Sequence, residues 1–273
     1  MRRSATGGHA QEILPRLLPG GRLFGIDVDP LELPRTEARL RALGFAEDAL
    51  VIRRMNFAGL LRLLPEVDGG FDFVLADLGV SSMQLDNPAR GFTYKADGPL
   101  DLRLNPDRGR PASALLSSLT EEGLADLLTE NAEEPYAYAI ARALHGQPVA
   151  TTAQLADLVR RALAVALPEA TRRQEMRKSL QRTFQALRIA VNEEFSALEQ
   201  FLRCLPMGLK SGGRVAILAF HSGEDRRVKK AFQTGHREGV YARIARDPIR
   251  PSAEECRANP RSSSAKLRWA VKA

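Results

Sequence analysis

Cysteine is nearly missing from this chain: Cys204 and Cys256 are the only two in 273 residues. Two cannot build a disulfide framework, and no C-x-x-C pair or His/Cys cluster has the spacing to hold zinc. A reducing compartment and a metal-free site are the expectations that follow. Long apolar runs are also lacking, since none approaches the roughly 18 residues that a membrane span requires. The opening M-R-R-S-A-T-G-G-H carries charges with no apolar signal region behind them. A cytoplasmic location is therefore expected. There is no internal repeat and no low-complexity segment, which excludes a repeat array.

What is present suffices for a full core. The chain is 44% hydrophobic, enough for one large domain or for one domain carrying an insertion, and too much for overall disorder. Forty Lys and Arg against 33 Asp and Glu give a formal charge of +7, which favours a polyanionic partner.

Up to about Asn105, strand-like and helical runs alternate as βαβ units do. Arg22–Asp27, Ala49–Met55 and Phe71–Ala76 read as strands, and Leu33–Leu43 as an amphipathic helix between them. Phe73–Ala76 has the continuous apolar character of a strand buried on both faces. From Pro111 to Leu205 the strand signal disappears. Thr151 with Gln154 forms a capping box ahead of Leu155, Leu158, Val159, Ala162 and Leu163 at helical spacing. Phe184, Leu187, Val191, Phe195, Leu198, Leu202 and Leu205 keep to one face, which predicts a single helix of more than five turns. After Gly212-Gly213 the pattern returns to a strand, Arg214–Phe220, then a charged helix, Glu224–Phe232, and an extended tail at Leu267–Val271. The domain division expected is residues 1–104, the first part of an α/β core; 105–206, a helical insertion that recognises substrate; and 207–273, the second part of the core.

Four clusters carry the chemistry. Gly7-Gly8-His9 opens a helical stretch, and the strand after it ends in Asp27-Val28-Asp29-Pro30. Glycines ahead of a helix let the backbone approach a ligand, and an acid about 20 residues on, at the end of the next strand, can accept ribose hydroxyls. A dinucleotide site would place another glycine where Gln11 stands, so a nucleoside cofactor without pyrophosphate suits the residues better than a nicotinamide dinucleotide. The second cluster runs from Asp77 to Asp86 and on through Arg90-Gly91-Phe92 and Asp97–Arg103. Asp77 closes a strand at the end where α/β sheets bind ligands. The third is Phe220-His221-Ser222-Gly223-Glu224-Asp225-Arg226, again at a strand's carboxyl end. The fourth is Asn259–Arg268, a polar turn feeding a strand.

Taken together, Asp77-Leu78-Gly79-Val80-Ser81-Ser82 with Gln84-Leu85-Asp86, Arg90-Gly91-Phe92, Asp97-Gly98-Pro99-Leu100-Asp101, Arg182–Asn192, Phe220-His221-Ser222 with Glu224-Asp225-Arg226, and Asn259-Pro260-Arg261-Ser262 resemble the bacterial MraW (RsmH) methyltransferases from end to end. The resemblance implies a Rossmann-like class I methyltransferase sheet with an inserted all-helical domain. It also implies transfer of methyl from S-adenosyl-L-methionine to the N4 amine of a cytidine in the decoding region of 16S ribosomal RNA, on the RNA or the 30S particle. The cofactor contacts it implies are Gly7, Gly8, His9, Asp27, Phe57, Asp77 and Gln84.

Departures from the family pattern accompany the match. The chain starts inside the first glycine motif, with Ala5 where an earlier glycine belongs and no strand before it. A misassigned start or a fragment is expected on that ground; were Met1 a true start, Arg22–Asp27 would pair on one side only. Gly223 replaces the usual leucine of H-S-L-E-D, and Ser263 stands where an arginine is common.

The chemistry of an amine on a ring sets the mechanism to expect. Cytosine N4 shares its lone pair with the ring until one N–H is accepted by an acid, here Asp77, and the other by a backbone carbonyl near Leu78. Methylation at carbon five would need an attacking cysteine, and neither Cys204 nor Cys256 is placed for that. Phe92 or Tyr94 would stack on the unpaired base. Arg172, Arg173, Arg177, Lys178 and Arg182 crowd one stretch and could neutralise phosphates. The alternative is a non-catalytic RNA-binding or ribosome-assembly protein whose damaged first motif holds no cofactor.

Overall fold

A computed structural model of the chain describes residues 7–273. Met1–Thr6, and with them Ala5, lie outside the described residues. The chain divides into two compact units. One comprises the residues up to Arg54 together with Val80–Glu194, the other Met55–Gly79 together with Phe195–Ala273.

The first unit opens with helix α1 (Gly8–Leu17), strand β1 (Leu23–Asp27), helix α2 (Glu32–Ala42) and strand β2 (Leu50–Arg54). β1 and β2 pair in parallel from Leu23↔Leu50 to Asp27↔Arg54, and among the described residues β1 pairs with β2 alone. Leu14, Leu40 and Leu50 are buried together beneath this pair. The short helix α3 (Ser82–Leu85) follows in the same unit, then α4 (Ala112–Ser118), α5 (Glu121–Ala132), α6 (Ala137–Leu144), α7 (Thr152–Ala166) and α8 (Glu169–Asn192). α7 begins at the capping box read from the sequence: Thr151 Oγ1 accepts the N–H of Gln154, and Gln154 Oε1 accepts the N–H of Thr151. Its apolar stripe, Leu155, Val159 and Leu163, is fully buried with Leu124, Leu128, Ile140 and Leu187. Each such leucine contributes about 1.5–3 kcal/mol by leaving water, so this cluster sustains the helices whatever their individual propensities.

The second unit contains strand β3 (Phe71–Asp77), helix α9 (Glu194–Gly208, whose first residue belongs to the other unit), strand β4 (Leu209–Ala219), helix α10 (Ser222–Arg237), strand β5 (Tyr241–Ile244), helix α11 (Ala253–Ala258) and strand β6 (Lys266–Lys272). Its sheet has the order β3-β4-β6-β5, with β3 and β4 parallel and the β4–β6 and β5–β6 pairs antiparallel. Asp225, at the start of α10, pins β6 by ion pairs to Lys266 (3.0 Å) and Arg268 (2.6 Å).

Two expectations need correction. β3 is not buried on both faces: Phe73 is 47% exposed and Val74, Leu75 and Ala76 are half-buried. Among the described residues β3 pairs only with β4, so it lacks the surroundings of a strand paired and covered on both sides. The single helix through Phe184 and Leu205 is also broken. Glu193 adopts a left-handed conformation (φ 51°), its N–H closing the last turn of α8 on Ala190 and Ile189, and α9 starts at the next residue. A periodic apolar stripe continues through such a break, so the pattern gives no sign of it.

Candidate functional site

In the first unit a cavity of about 190 Å³ opens at the carboxyl end of β1, lined among others by Gly7, Gly25, Asp27, Glu32, Ser81 and Gln84. Gly7 caps α1 in a left-handed conformation (φ 70°), and a Cβ there would lie 2.9 Å from Thr36 Cγ2, so only glycine fits without displacing its neighbour. Gly8 starts α1 and His9 is exposed; neither lines the cavity.

Asp27 closes β1 with its side chain open to solvent, as an acid that accepts hydroxyls from a ligand should be. Surrounding protein still strips enough water from its carboxyl to hold it above the usual carboxylate value. The N–H groups of Asp29 and Val28 oppose that rise, and the nearby Asp29 charge adds to it. Glu32 sits on the first turn of α2. Its Oε1 accepts from Arg35 at 3.0 Å, whereas Oε2 is buried with no hydrogen-bond partner. A buried acceptor in that state costs free energy until a donor arrives.

Gln84 is held at both ends. It completes a capping box, with Oε1 accepting the N–H of Ser81 at 2.8 Å and Ser81 Oγ accepting the N–H of Gln84, while Nε2 donates to Asp29 at 2.6 Å. Asp29 also takes Arg90 Nη1 at 2.8 Å, and both side chains are buried. Burial works against the Asp29 charge, but Gln84, Arg90 and the N–H of Leu31 outweigh it and keep the carboxyl below its ordinary range. Reading the sequence for a ligand site missed Asp29, Glu32 and the role of Arg90. The only signal available was a second acid two residues after Asp27, ahead of a helix.

Phe57 and Asp77 belong to the second unit. Phe57 packs edge-on against Phe201, with ring centroids 5.3 Å apart. Asp77 is the last residue of β3, in register with Leu218 of β4, and is exposed. The N–H of Leu78 donates to the carbonyl of Leu218 at 3.0 Å, and Gly79 turns the chain away at φ 88°. At the carboxyl end of β4, His221 stacks on Phe195 (5.8 Å between centroids) and sets Nε2 3.2 Å from Glu224, whose other oxygen accepts the N–H of Phe220.

The loop of the second cluster is pinned rather than loose. Asp101 and Arg103 form a two-pronged pair at 2.8 Å, and Asp97 accepts the N–H of Ala153 at the start of α7. Phe92 cannot stack on a base: it is 7% exposed, within the helical core and beside the Arg90 guanidinium. Tyr94 is half-buried against Phe184. Of the five basic residues of α8 between 172 and 182, Arg173 and Arg177 are exposed. Arg172 donates to the carbonyl of Leu167, Lys178 pairs with Glu175 at 2.8 Å, and Arg182 lies 3.9 Å from the buried Glu134 carboxylate.

The chain is 54% identical over 272 residues to a protein of Alkaliphilus metalliredigens named ribosomal RNA small subunit methyltransferase H 2, covering 98% of this chain and 77% of that protein. It is 50% identical to ribosomal RNA small subunit methyltransferase H 1 of Lachnoclostridium phytofermentans, covering 98% and 74%. It is 41% identical to ribosomal RNA small subunit methyltransferase H of Acidobacterium capsulatum, covering 97% and 88%. With residues 5–273 matching the model of the MraW methylase family as well, the chain belongs to that family.

Proposed function

We propose that this chain methylates the N4 amine of a cytidine in the decoding region of 16S ribosomal RNA, using S-adenosyl-L-methionine. The observation that carries this reading is the strand-end Asp77, followed by an intact Leu78-Gly79-Val80-Ser81-Ser82 turn, in a chain of a methylase family. The fold is Rossmann-like α/β, and an RNA substrate of this kind locates the reaction in the cytoplasm.

The first unit's cavity suits a nucleoside. Asp27 and Glu32 Oε2 offer acceptors for hydroxyl or amine donors, Leu23, Leu33 and Ile52 offer an apolar wall, and Gly7 leaves room for close approach. The bound cofactor supplies an electrophilic methyl on a sulfonium. Asp27 would accept the ribose hydroxyls and Gln84 would hold the nucleoside. Asp77 accepts one N–H of the cytosine amine while the Leu78 carbonyl accepts the other, so the lone pair leaves conjugation and points outward. The positive charge that develops on nitrogen would be stabilised by the same carboxylate, which would take the proton that the methylated amine must lose.

The helical segment 105–206 is proposed to grip the RNA, through Arg173 and Arg177 first and Arg172, Lys178 and Arg182 behind them, with Tyr94 as the remaining aromatic surface. Transfer of labelled methyl from the cofactor to small-subunit ribosomal RNA, mapped to the modified base, tests the proposal. Label on carbon five, or none despite cofactor binding, would refute it.

A further inference from the structure

Asp29 does not line the cavity, yet it is fully buried and is hydrogen-bonded to three residues that do, Asp27, Glu32 and Gln84. Its Oδ1 accepts the N–H groups of Leu31 (2.8 Å) and Glu32 (3.2 Å), fastening the first turn of α2. Its own N–H donates to Asp27 Oδ1 at 2.9 Å. Its Oδ2 accepts Gln84 Nε2 at 2.6 Å and Arg90 Nη1 at 2.8 Å. Arg90 in turn donates from Nη2 to the carbonyls of Arg103 (3.0 Å) and Leu104 (2.8 Å).

A side-chain amide can usually turn over, because its oxygen and nitrogen are nearly the same size. Here it cannot. Inversion would set the Gln84 NH₂ against the N–H of Ser81 and its oxygen against the Asp29 carboxylate, placing two donors and two acceptors face to face. The bond to Asp29 leaves one Nε2 hydrogen over, on a residue that lines the cavity, so Gln84 meets a ligand as a donor.

We infer that Asp29, held by Arg90, is a positioning residue of the cofactor site, which fixes the Gln84 amide so that it donates to an acceptor atom of the bound nucleoside. The inference rests on the reading of Gln84 as a cofactor residue. Asp29→Asn keeps the shape of the side chain but presents an NH₂ to Gln84 and Arg90, or else loses the α2 N–H groups.

The test is calorimetric titration of S-adenosylhomocysteine into the full chain and into Asp29→Asn, Gln84→Ala and the double variant. Each single change should weaken binding about tenfold, and the double variant should be no more than about threefold weaker than Gln84→Ala, since residues acting through one another are not additive. Losses that multiply would overturn the inference. An unaltered affinity in Gln84→Ala, or no binding by the unaltered chain, would remove the reading beneath it and the inference with it. Steady-state rates supply a signature that a purely structural role would not give: Asp29→Asn should raise KM for the cofactor and leave KM for RNA within about twofold. Equal rises in both would count against it. Should Asp29→Asn not fold, the unaltered protein labelled with ¹⁵N in glutamine side chains still decides. Gln84 should show one slowly exchanging, displaced Nε2 proton, and its absence would overturn the assignment.

Discussion

Asp27 and Asp29 are two residues apart and stand in opposite environments. The Asp27 carboxyl is held above its ordinary value by loss of water, whereas Gln84, Arg90 and backbone N–H groups hold that of Asp29 below it. Ribose hydroxyls need an ionised acceptor, so cofactor affinity should be full above the raised Asp27 value and fall as pH drops through it. That decline should begin at a higher pH than an ordinary aspartate, near 3.9, would give. Asp27→Ala should remove the pH dependence and weaken binding by about 1.5–3 kcal/mol, as loss of a charged hydrogen bond does; calorimetry across pH checks both. Asp77→Ala should abolish methyl transfer while leaving the melting temperature nearly unchanged, because this exposed strand-end acid contributes little to packing. Normal turnover in the folded variant would take Asp77 out of the mechanism. Gly223, which stands where the family pattern has leucine, is explained by its neighbour. A Cβ there would lie 2.6 Å from Phe195 Cζ, and the Arg227 guanidinium, 3.5 Å from the ring centroid, covers that ring. Gly223→Leu should cost about 1–3 kcal/mol through overpacking, and Phe195→Leu in the same chain should recover part of it. Denaturant melts of the two variants would show this.

At the scale of elements, α8 determines which basic residues are available to RNA. Helical spacing sorts the five between 172 and 182: the Leu167 carbonyl accepts from Arg172, Glu175 accepts from Lys178, and Arg182 faces the Glu134 carboxylate at 3.9 Å, too far for a hydrogen bond. Replacing Arg173 and Arg177 together by alanine should lower the slope of log affinity against log salt by about 1.4–1.8, at roughly 0.7–0.9 for each phosphate no longer neutralised. Arg172→Ala should leave the slope nearly unchanged. Binding of a decoding-region RNA fragment at several salt concentrations separates these outcomes, and equal slopes in all variants would mean that α8 faces only solvent. The carboxyl end of α8 is anchored separately. Asn192 donates to the carbonyl of Leu102 and accepts the N–H of Leu104, so the helix and the loop of the second cluster are held together whatever the RNA does.

For the molecule as a whole, buried and half-buried ionic ties set the response to acid. Asp29, Asp101 and Asp225 all lose water on folding, but Arg90, Arg103, Arg268 and Lys266 more than offset that and keep their carboxyls below the ordinary range. A depressed folded value means stability that is complete above the unfolded value, near 3.9, and is lost as pH falls through the folded one. Thermal melts should therefore change little between pH 7 and about 5 and decline steeply below about 4. Asp225→Asn should lower the plateau and flatten that decline. Asp27, whose value is raised on folding, has the opposite sign and partly offsets that decline as pH falls through it.

The sequence by itself determined the strands β1, β2, β3, β4 and β6, the start of α7, the residue types at the strand ends and the family. Apolar periodicity, the Thr151 capping box and the Gly7 turn are local properties, legible without knowing what lies opposite. Strand-end position alone marked Asp27 and Asp77. Tertiary structure decided what depends on partners distant in the chain. Gln84 and Asp29 are 55 residues apart, and Arg90 and Asp29 are 61 apart. No spacing rule connects such residues. The exposure of Phe73, the burial of Phe92 and the break at Glu193 also depend on what packs alongside, since an apolar side chain reads the same in a core, at an uncovered strand or across a kink. Burial and hydrogen-bond geometry belong to pairs of residues, and the pairing exists only in the folded chain.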